Sequence, residues 1–315
     1  MQIAMYVHQF DQLMERTLGE VIETFRAGGM AEARAKSHQW LTWIGTPRAS
    51  GDYDHAPHAI KGLEDVERIR AAFAAAEMGF VPWCVPMGLD PEREAELGAQ
   101  VANVCGALEL DVEPYEAFWP ALAHGEYGAV EPYFARLRER APEARLVLNI
   151  PARATPWEWG RLEQVVMLAR AYVDEVTVQS YFGVPQAEEA EARVAAVAQR
   201  PVRHLASART LAEMLDWACQ RAQEWLGVWR AADMTPALYA RLPKGDQRSA
   251  TGQAPDVTWM EPGFAALARA LGPAMGEPLA APEADAQGNV WQRGRLGMAL
   301  WVKRSNTNHW LAGAA

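Results

Sequence analysis

The sequence predicts a (β/α)8 barrel of the TIM type, in the α/β class, followed by a short C-terminal β-ribbon. Eight short apolar segments alternate with amphipathic helical segments over residues 1–242. Most of the apolar segments are continuous rather than alternating, as expected for strands buried on both faces of a parallel sheet. No Gly-x-Gly-x-x-Gly turn follows the first of them, so a doubly wound sheet that binds a dinucleotide is the weaker interpretation.

The eight predicted strands follow the apolar segments in chain order. They are Ile3–His8, His38–Ile44, Phe80–Pro86, Val104–Val112, Arg145–Pro151, Glu175–Tyr181, Val202–Ala206 and Trp225–Trp229. Helical periodicity predicts the connecting helices Leu13–Arg26, Leu63–Met78, Pro91–Val104, Glu131–Arg140, Pro156–Tyr172, Gln186–Gln199 and Thr210–Glu224. Asp90-Pro91 is typical of a helix start, and Gly28-Gly29 is typical of a helix end.

The sequence changes character after Leu242. Residues 243–288 are predicted to form a loop, one helix (Pro262–Leu271) and a linker rich in Pro, Ala and Glu. Residues 289–315 predict two or three short strands with turns at Gly294 and at Ser305-Asn306. This ribbon is expected to be a strap over the barrel, with a binding ribbon or a homo-oligomer contact as the alternatives.

Charge and hydropathy exclude several classes of function. The net charge is −10 and the isoelectric point is about 5.3, which disfavours nucleic acid as a partner. No apolar run reaches about 18 residues, so no membrane span is predicted. The N-terminal residues lack a basic segment followed by a long apolar one, which predicts synthesis in the cytoplasm without a signal peptide. Later release from the cell, or association with a phage particle, is left open.

The sequence predicts no metal or other cofactor. Its three cysteines lack the paired spacing of a disulfide framework or a zinc site. A metal-dependent hydrolase remains a third interpretation, because Asp52, Asp54, His55 and His58 lie close together. All four belong to one loop, however, whereas metal sites in barrels draw ligands from several strands, so the favoured interpretation is that His55 and His58 are solvated loop residues.

The strongest candidate for chemistry is the fourth predicted strand. Side chains alternate along a strand, so Glu109, Asp111 and Glu113 share the face that points into the barrel. Burying like charges together raises the pKa of one of them, which makes a carboxyl usable as a general acid near neutral pH. Glu109 is expected to lie deeper and to pair with an arginine such as Arg145 or Arg203.

Other polar and aromatic residues lie at the ends of predicted strands, where the active sites of this fold form. Tryptophan is frequent, at 13 residues, and flat indole rings suit stacking on sugars. The candidate ligand-binding residues are Trp83, Glu109, Tyr115, Asn149, Gln179 and Trp229, with Tyr181 as a further catalytic candidate.

Gly106-Ala-Leu-Glu-Leu-Asp-Val-Glu113 resembles the strand-four motif of family 18 glycoside hydrolases, Asp-Gly-x-Asp-x-Asp-x-Glu. The resemblance implies that Glu113 is the acid and that Asp111 orients an acetamido group of the substrate. Gln179-Ser180-Tyr181 is similar to the Met-x-Tyr segment of that clan, and Gly227-Val228-Trp229 is similar to its tryptophan-bearing strand.

This sequence departs from that pattern at three positions. Gly106 and Glu109 replace the first and second acids, and Phe182 replaces the acid after the tyrosine, which counts against substrate-assisted hydrolysis. The sequence also resembles family 25 lysozymes, whose barrels carry Asp-x-Glu on the same strand. Those enzymes have an acid on strand one, where this chain has His8 and Gln9, with Asp11 just beyond.

The expected function is therefore a glycoside hydrolase acting on an amino-sugar polysaccharide such as peptidoglycan or chitin. Glu113 would protonate the glycosidic oxygen, and Asp111 would be a stabilising or nucleophilic carboxylate or would orient an acetamido group. Tyr181 and Gln179 would hydrogen-bond the reacting sugar, and Trp229 and Trp83 would form a stacking floor. The alternative is a glycan-binding or structural protein on a degenerate barrel. An arginine covering Glu113 would favour that alternative, and an open cleft with Tyr181 in reach would favour an enzyme.

Overall fold

A computed structural model describes residues 1–13, 15, 17–47, 53–152 and 156–242, together with four strands between residues 283 and 312. The chain divides into two compact units, Met1–Gly245 and Asp246–Ala315. The first unit is a closed parallel barrel surrounded by helices, which confirms the predicted (β/α)8 fold.

Eight parallel strands form the barrel. They are β1 (Gln2–Val7), β2 (Glu32–Gln39), β4 (Gly79–Val85), β5 (Ala107–Asp111), β6 (Arg145–Pro151), β7 (Glu175–Gln179), β8 (Val202–Ser207) and β9 (Trp225–Trp229). Each strand pairs in parallel with its neighbours, and pairing of β1 with both β2 and β9 closes the barrel. The two-residue strand β3 (Thr42–Trp43) pairs antiparallel with the end of β2.

The helices alternate with the strands along the chain. They are α1 (Leu18–Ala27), α2 (Leu63–Ala75), α3 (Pro91–Cys105), α4 (Pro120–Ala123), α5 (Val130–Arg140), α6 (Pro156–Ala169), α7 (Val184–Ala198), α8 (Leu211–Gln220) and α9 (Pro236–Tyr239). Among the described residues, no helix has the length and apolar character that crossing a membrane requires.

Local chemistry sets several helix ends. The Thr17 hydroxyl accepts a hydrogen bond from the backbone N–H of Glu20, and the Glu20 carboxylate accepts one from the backbone N–H of Thr17. This capping box starts α1. The predicted start at Leu13 was therefore too early. At the other end of α3, Gly106 has a φ of 73°, a left-handed conformation that glycine adopts without steric cost. The helix therefore reaches Cys105, and the next strand begins at Ala107 rather than at the predicted Val104.

The second predicted strand, His38–Ile44, was wrong in its bounds. The barrel strand is β2, Glu32–Gln39, and the chain then turns back as β3. The segment Ala33-Arg34-Ala35-Lys36 alternates small and charged residues, which is untypical of a buried strand. Both charged side chains point into the barrel interior and are buried, while Ala33 and Ala35 pack outward in the main core.

The described part of the C-terminal unit is a four-stranded antiparallel sheet. Its strands are β10 (Glu283–Ala284), β11 (Val290–Gly294), β12 (Gly297–Val302) and β13 (Thr307–Ala312), paired in chain order. Antiparallel strands were predicted from residue 289 onward, and β10 lies within the segment predicted to be a linker. The predicted helix Pro262–Leu271 lies outside the described residues.

The barrel has two apolar layers. An outer core fills the space between strands and helices and contains Leu108, Leu110 and Val112, as the alternation along β5 predicted. A smaller inner cluster consists of Ala4, Tyr6, Trp83, Val85, Leu205 and Trp225, with Phe118, Tyr181 and Trp229 packed against it. Three residues of the inner cluster, Tyr6, Trp83 and Leu205, also line a cavity.

An ionic layer lies within the barrel below that cavity. The Arg34 guanidinium is fully buried and binds Glu32 at 2.7 Å and Glu109 at 2.5 Å. Around the rim of this layer, Arg145 binds Glu32 at 3.0 Å, and Arg203 binds Glu175 at 2.6 Å. The arginine that pairs with Glu109 is therefore Arg34, not Arg145 or Arg203 as expected from the sequence. The misplaced second strand explains the error, because it left Arg34 outside the barrel.

Replacing Arg34 with methionine should lower the free energy of unfolding by about 3–5 kcal/mol, because it leaves the buried Glu109 carboxylate without its cation. Urea unfolding measures this change. The double variant R34M/E109Q should recover part of the loss, since it removes the uncompensated charge. Arg68→Met, at an exposed ion pair with Asp65, is the control and should change stability by less than about 1 kcal/mol. A loss for Arg34→Met as small as the control would show that the buried pair does not stabilise the barrel.

Candidate functional site

A cavity opens at the C-terminal ends of the strands, where active sites of this fold form. Its volume is about 140 Å³, and it is lined by Tyr6, His8, Lys36, Trp83, Asp111, Glu113, Phe118, Asn149, Gln179, Tyr181, Leu205 and Trp229. That volume holds on the order of ten water molecules. Seven of the nine residues predicted for the site line this cavity, and no arginine is among its described lining residues.

Asp111 and Glu113 form a hydrogen-bonded pair in the cavity. The Gln179 amide donates to Asp111 Oδ1 at 2.8 Å and to Glu113 Oε1 at 3.1 Å. Burial, and then the neighbouring charge of Glu113, raise the pKa of Asp111 well above its ordinary value. Burial raises the pKa of Glu113 as well, against the opposing effects of Gln179, Asp111 and Lys36. The pair therefore retains a proton to higher pH than exposed carboxyl groups do.

Glu109 lies beneath the cavity rather than on its wall, with none of its surface exposed. The Tyr6 hydroxyl donates to the Glu109 carboxylate at 2.7 Å, and the Asn149 amide and Arg34 donate to it as well. All of these contacts are with protein groups, so Glu109 supports the floor of the site. Asn149 lines the cavity above Glu109, and its Oδ1 is buried with no hydrogen-bond partner among the described residues.

Aromatic rings form one side of the cavity around Trp229. The Tyr181 ring stacks on Trp229 at a centroid distance of 6.2 Å, and the Trp83 ring meets Trp229 edge-on at 5.7 Å. The Trp83 indole N–H donates to the carbonyl of Val7 at 3.2 Å, which fixes its ring. Burial, together with the nearby acids, raises the pKa of Tyr181 well above its usual range, so its hydroxyl remains a donor.

Sequence reasoning missed four lining residues, which are Tyr6, Lys36, Phe118 and Leu205. Lys36 could have been found from the alternation Arg34-x-Lys36 had that segment been recognised as a strand. Tyr6 lies in the first predicted strand, on the same face as His8, but its polar end was not considered. The structure places Tyr115 outside the lining, with its ring edge-on to Phe118 at 6.4 Å.

The loop proposed as a metal site has a structural role at Asp54. Asp54 is 1% exposed, and its carboxylate accepts hydrogen bonds from the backbone N–H groups of Phe10 at 2.8 Å, Asp11 at 3.1 Å and Ala56 at 2.9 Å. Asp52 lies outside the described residues. Within those residues, no three His, Cys, Asp or Glu side chains converge in a manner that could hold a metal ion.

Comparisons with known proteins relate the chain to barrel enzymes through its fold. No protein family model and no curated protein matches the sequence. Among solved structures, a GH10 endoxylanase from a sugarcane soil metagenome is 12% identical with a TM-score of 0.51, covering 73% of this chain and 84% of its own. A structure of TcOYE with pHBA is 8% identical with a TM-score of 0.51, covering 72% and 84%.

A GH18 chitinase from Pseudoalteromonas aurantia is also similar, at 12% identity and a TM-score of 0.49, covering 74% of this chain and 94% of its own. The structural neighbours thus include glycoside hydrolases with (β/α)8 barrels. At these identities the likeness establishes the fold, which hosts many chemistries, so the function has to be argued from the site. The resemblance to family 25 lysozymes stays a prediction.

The raised pKa values of Asp111 and Glu113 predict how stability varies with pH. Between the ordinary carboxyl pKa and the raised one, the folded state binds more protons than the unfolded state, so this pair's contribution to stability is lost as the pH rises. Asp111→Asn removes one buried charge and keeps the hydrogen-bonding shape, so its stability should fall less between about pH 4 and pH 8. Urea unfolding across this range tests the prediction, with the exposed Asp216→Asn on α8 as the control. Identical pH dependence in wild type and Asp111→Asn would contradict the burial of a charged pair.

Proposed function

We propose that this protein is a glycoside hydrolase that cleaves an amino-sugar polysaccharide such as chitin or peptidoglycan. The observation that carries the proposal is the hydrogen-bonded Asp111–Glu113 pair, held at the ends of the barrel strands beside an aromatic wall. An acid that retains its proton near neutral pH is the group needed to cleave a glycosidic bond.

Glu113 is the general acid in this proposal. It lies two residues beyond Asp111, the last residue of β5, and it is less buried than Asp111. Its carboxyl group is therefore the one of the pair that a substrate reaches first. Burial raises the pKa of both carboxyl groups, and within the pair Asp111 holds its proton more strongly than Glu113 does. Glu113 can therefore deliver a proton to the glycosidic oxygen, supplied by Asp111, at a pH where an exposed glutamate is ionised.

Asp111 is too close to Glu113 to act as the nucleophile on the opposite side of the sugar. The two carboxyl groups of a retaining glycosidase lie about 5 Å apart, and those of an inverting enzyme lie about 6.5–9.5 Å apart. Here a single amide nitrogen, that of Gln179, bonds both groups at 2.8 and 3.1 Å, and the two groups lie within hydrogen-bonding reach of each other rather than facing each other across a sugar. Among the roles expected for Asp111, orienting the substrate fits this geometry best.

The second reacting group then comes from the substrate. A 2-acetamido group can attack its own anomeric carbon, as in the substrate-assisted families that depart from the two-carboxylate scheme. Asp111, which the resemblance to family 18 matches to the acetamido-orienting acid, is placed to accept the N–H of such a group. The Tyr181 hydroxyl and the unpartnered Asn149 Oδ1 supply a further donor and acceptor inside the cavity. These groups support an amino sugar in spite of the departures at Gly106, Glu109 and Phe182.

The aromatic side of the cavity would hold the sugar ring. Trp229 and Trp83 both line the cavity, with their rings at 66° to one another. Trp83 is 4% exposed and lies beneath the Lys36 ammonium, so Trp229 offers the more accessible indole face. An indole face contributes apolar contact to the C–H groups of a pyranose while its hydroxyl groups meet polar neighbours. This arrangement places the sugar beside the carboxyl pair.

Glu113→Gln should lower the rate of polymer cleavage by about a hundredfold or more, because it removes the proton that the leaving oxygen needs. Reducing-end release from chitin, peptidoglycan and plain β-glucan measures this change. Glu116→Gln is the matched control, since Glu116 is an exposed glutamate in the same loop that pairs with His124. Cleavage that survives in Glu113→Gln would remove Glu113 from the acid role. No cleavage of any polymer by folded wild type, together with retained glycan binding, would favour the non-catalytic alternative.

The proposed use of the substrate's own acetamido group predicts a sharp preference among small substrates. Aryl β-glycosides of N-acetylglucosamine should be hydrolysed, and the matching glucosides should not, because a hydroxyl group at carbon 2 cannot replace the attacking amide oxygen. Release of the aryl group, followed by absorbance, compares the two. Hydrolysis of both substrates at similar rates would show that the nucleophile belongs to the protein or to water.

A further inference from the structure

Lys36 is a buried lysine to which the proposed reaction assigns no role. Its side chain lines the cavity, yet the residue is only 6% exposed. A buried ammonium group is costly unless charged or polar groups surround it, so its presence among the acids of the site requires an explanation.

A bulge in β2 holds the lysine in position. The register of β2 against β4 shifts between Lys36 and His38, so Ser37 is the additional residue. Side chains alternate along a strand, and Gln39 is three positions beyond the inward-facing Lys36. Without the bulge, Gln39 would therefore point away from the barrel interior. With the bulge, the Gln39 amide oxygen faces inward and accepts the Lys36 ammonium at 3.1 Å.

The ammonium group also lies over an aromatic ring. Lys36 Nζ is 5.3 Å from the centroid of the Trp83 ring, within the range of a cation–π contact. Trp83 is itself 4% exposed and is fixed by its bond to Val7. The charge of Lys36 is thus held at one place on the cavity wall rather than on a mobile surface side chain.

The charges around the carboxyl pair show what this cation balances. On β5, Glu109 lies below the pair, but Arg34 of β2 binds it directly. The neighbours from β7 are the Gln179 amide and the Tyr181 hydroxyl, and those from β1 are the Tyr6 hydroxyl and the titratable His8. Among the described lining residues, Lys36 is therefore the lysine or arginine left to face Asp111 and Glu113. Its charge lowers the pKa of both carboxyl groups, against burial.

We propose that Lys36 is a positioning residue whose ammonium group keeps the Asp111–Glu113 pair singly ionised, with one proton shared between two carboxyl groups. Without the cation, burial and mutual repulsion would keep both carboxyl groups protonated to higher pH. With it, one carboxylate accepts a hydrogen bond while the other group retains a transferable proton. This role deepens the proposed function, in which Glu113 gives up that proton, but it can be tested without any substrate.

The test is a pH titration of the carboxyl carbons by NMR in protein labelled at Asp and Glu. The signals of the pair are identified by their loss in Asp111→Asn and Glu113→Gln. Lys36→Met and Lys36→Gln, both neutral, should raise the proton affinity of the pair by about tenfold or more, a shift of about one pH unit. Lys36→Arg, which keeps the charge, should restore most of the wild-type titration. Lys61→Met, at an exposed lysine, is the matched control and should leave the titration unchanged.

If Lys36 had only a structural role, replacing it would lower the stability of the protein without shifting the titration of the carboxyl pair. The proposal is overturned if the pair ionises at the same pH in wild type and in whichever neutral variant is folded, or if Lys36→Arg shifts it as far as Lys36→Met. If the shift is found but no polymer is cleaved, the glycosidase proposal fails and the role of Lys36 stands. If cleavage depends on Glu113 but the titration does not shift, the glycosidase proposal stands and the proposed role of Lys36 fails. In an active enzyme, the alkaline limb of kcat/KM should move to higher pH in Lys36→Gln.

Discussion

The burial of Glu109 and Asp111 on one face of β5, with the partly buried Glu113 just beyond the strand's end, is the constraint on which the rest of the site depends. Because side chains alternate, Glu109, Asp111 and Glu113 all point into the barrel, where an uncompensated charge is costly. The two inward-facing cations of β2 meet this demand at two depths. Arg34 neutralises Glu109 at the lower level, and Lys36 faces the upper pair from the cavity wall. β2 and β5 are not adjacent, so the charge balance also links the two strands on either side of β4.

The two depths lead to different chemical behaviour. Glu109 is held by Arg34, Tyr6 and Asn149, with no exposed surface, so it forms a fixed floor. Among the described residues, Asp111 and Glu113 instead have Lys36, the Gln179 amide and each other as neighbours, and in our proposal they share one proton. The same strand thus supplies a structural carboxylate below and a titratable pair above. This division follows the general pattern of the fold, in which stability resides in the barrel and chemistry at the strand ends.

The alternation of buried apolar segments and helices predicted the fold, and strand-end reasoning predicted most of the cavity. Both succeeded because β5, β6, β7 and β9 are apolar enough to be recognised without tertiary information. The interpretation failed at β2, where Arg34 and Lys36 occupy inward positions that face the acids of β5. The β2 segment alone does not carry that information, since its charges look exposed until β5 is placed opposite. Tyr115 was misplaced for the converse reason, because its position depends on how the loop after β5 folds.

In the proposed reaction, the charge balance also serves the transition state. Before proton transfer, the singly ionised pair and Lys36 together carry no net charge, which suits an uncharged sugar bound in a dry cavity. When Glu113 gives up its proton, the pair gains a second negative charge just as positive charge develops on the sugar ring beside it. Fixed charges that match the developing ones stabilise a transition state more than the bound substrate. Lys36, which lines the same cavity, limits the cost of the doubly ionised pair. A neutral residue at position 36 would therefore weaken the acid even if it left the cavity unchanged in shape.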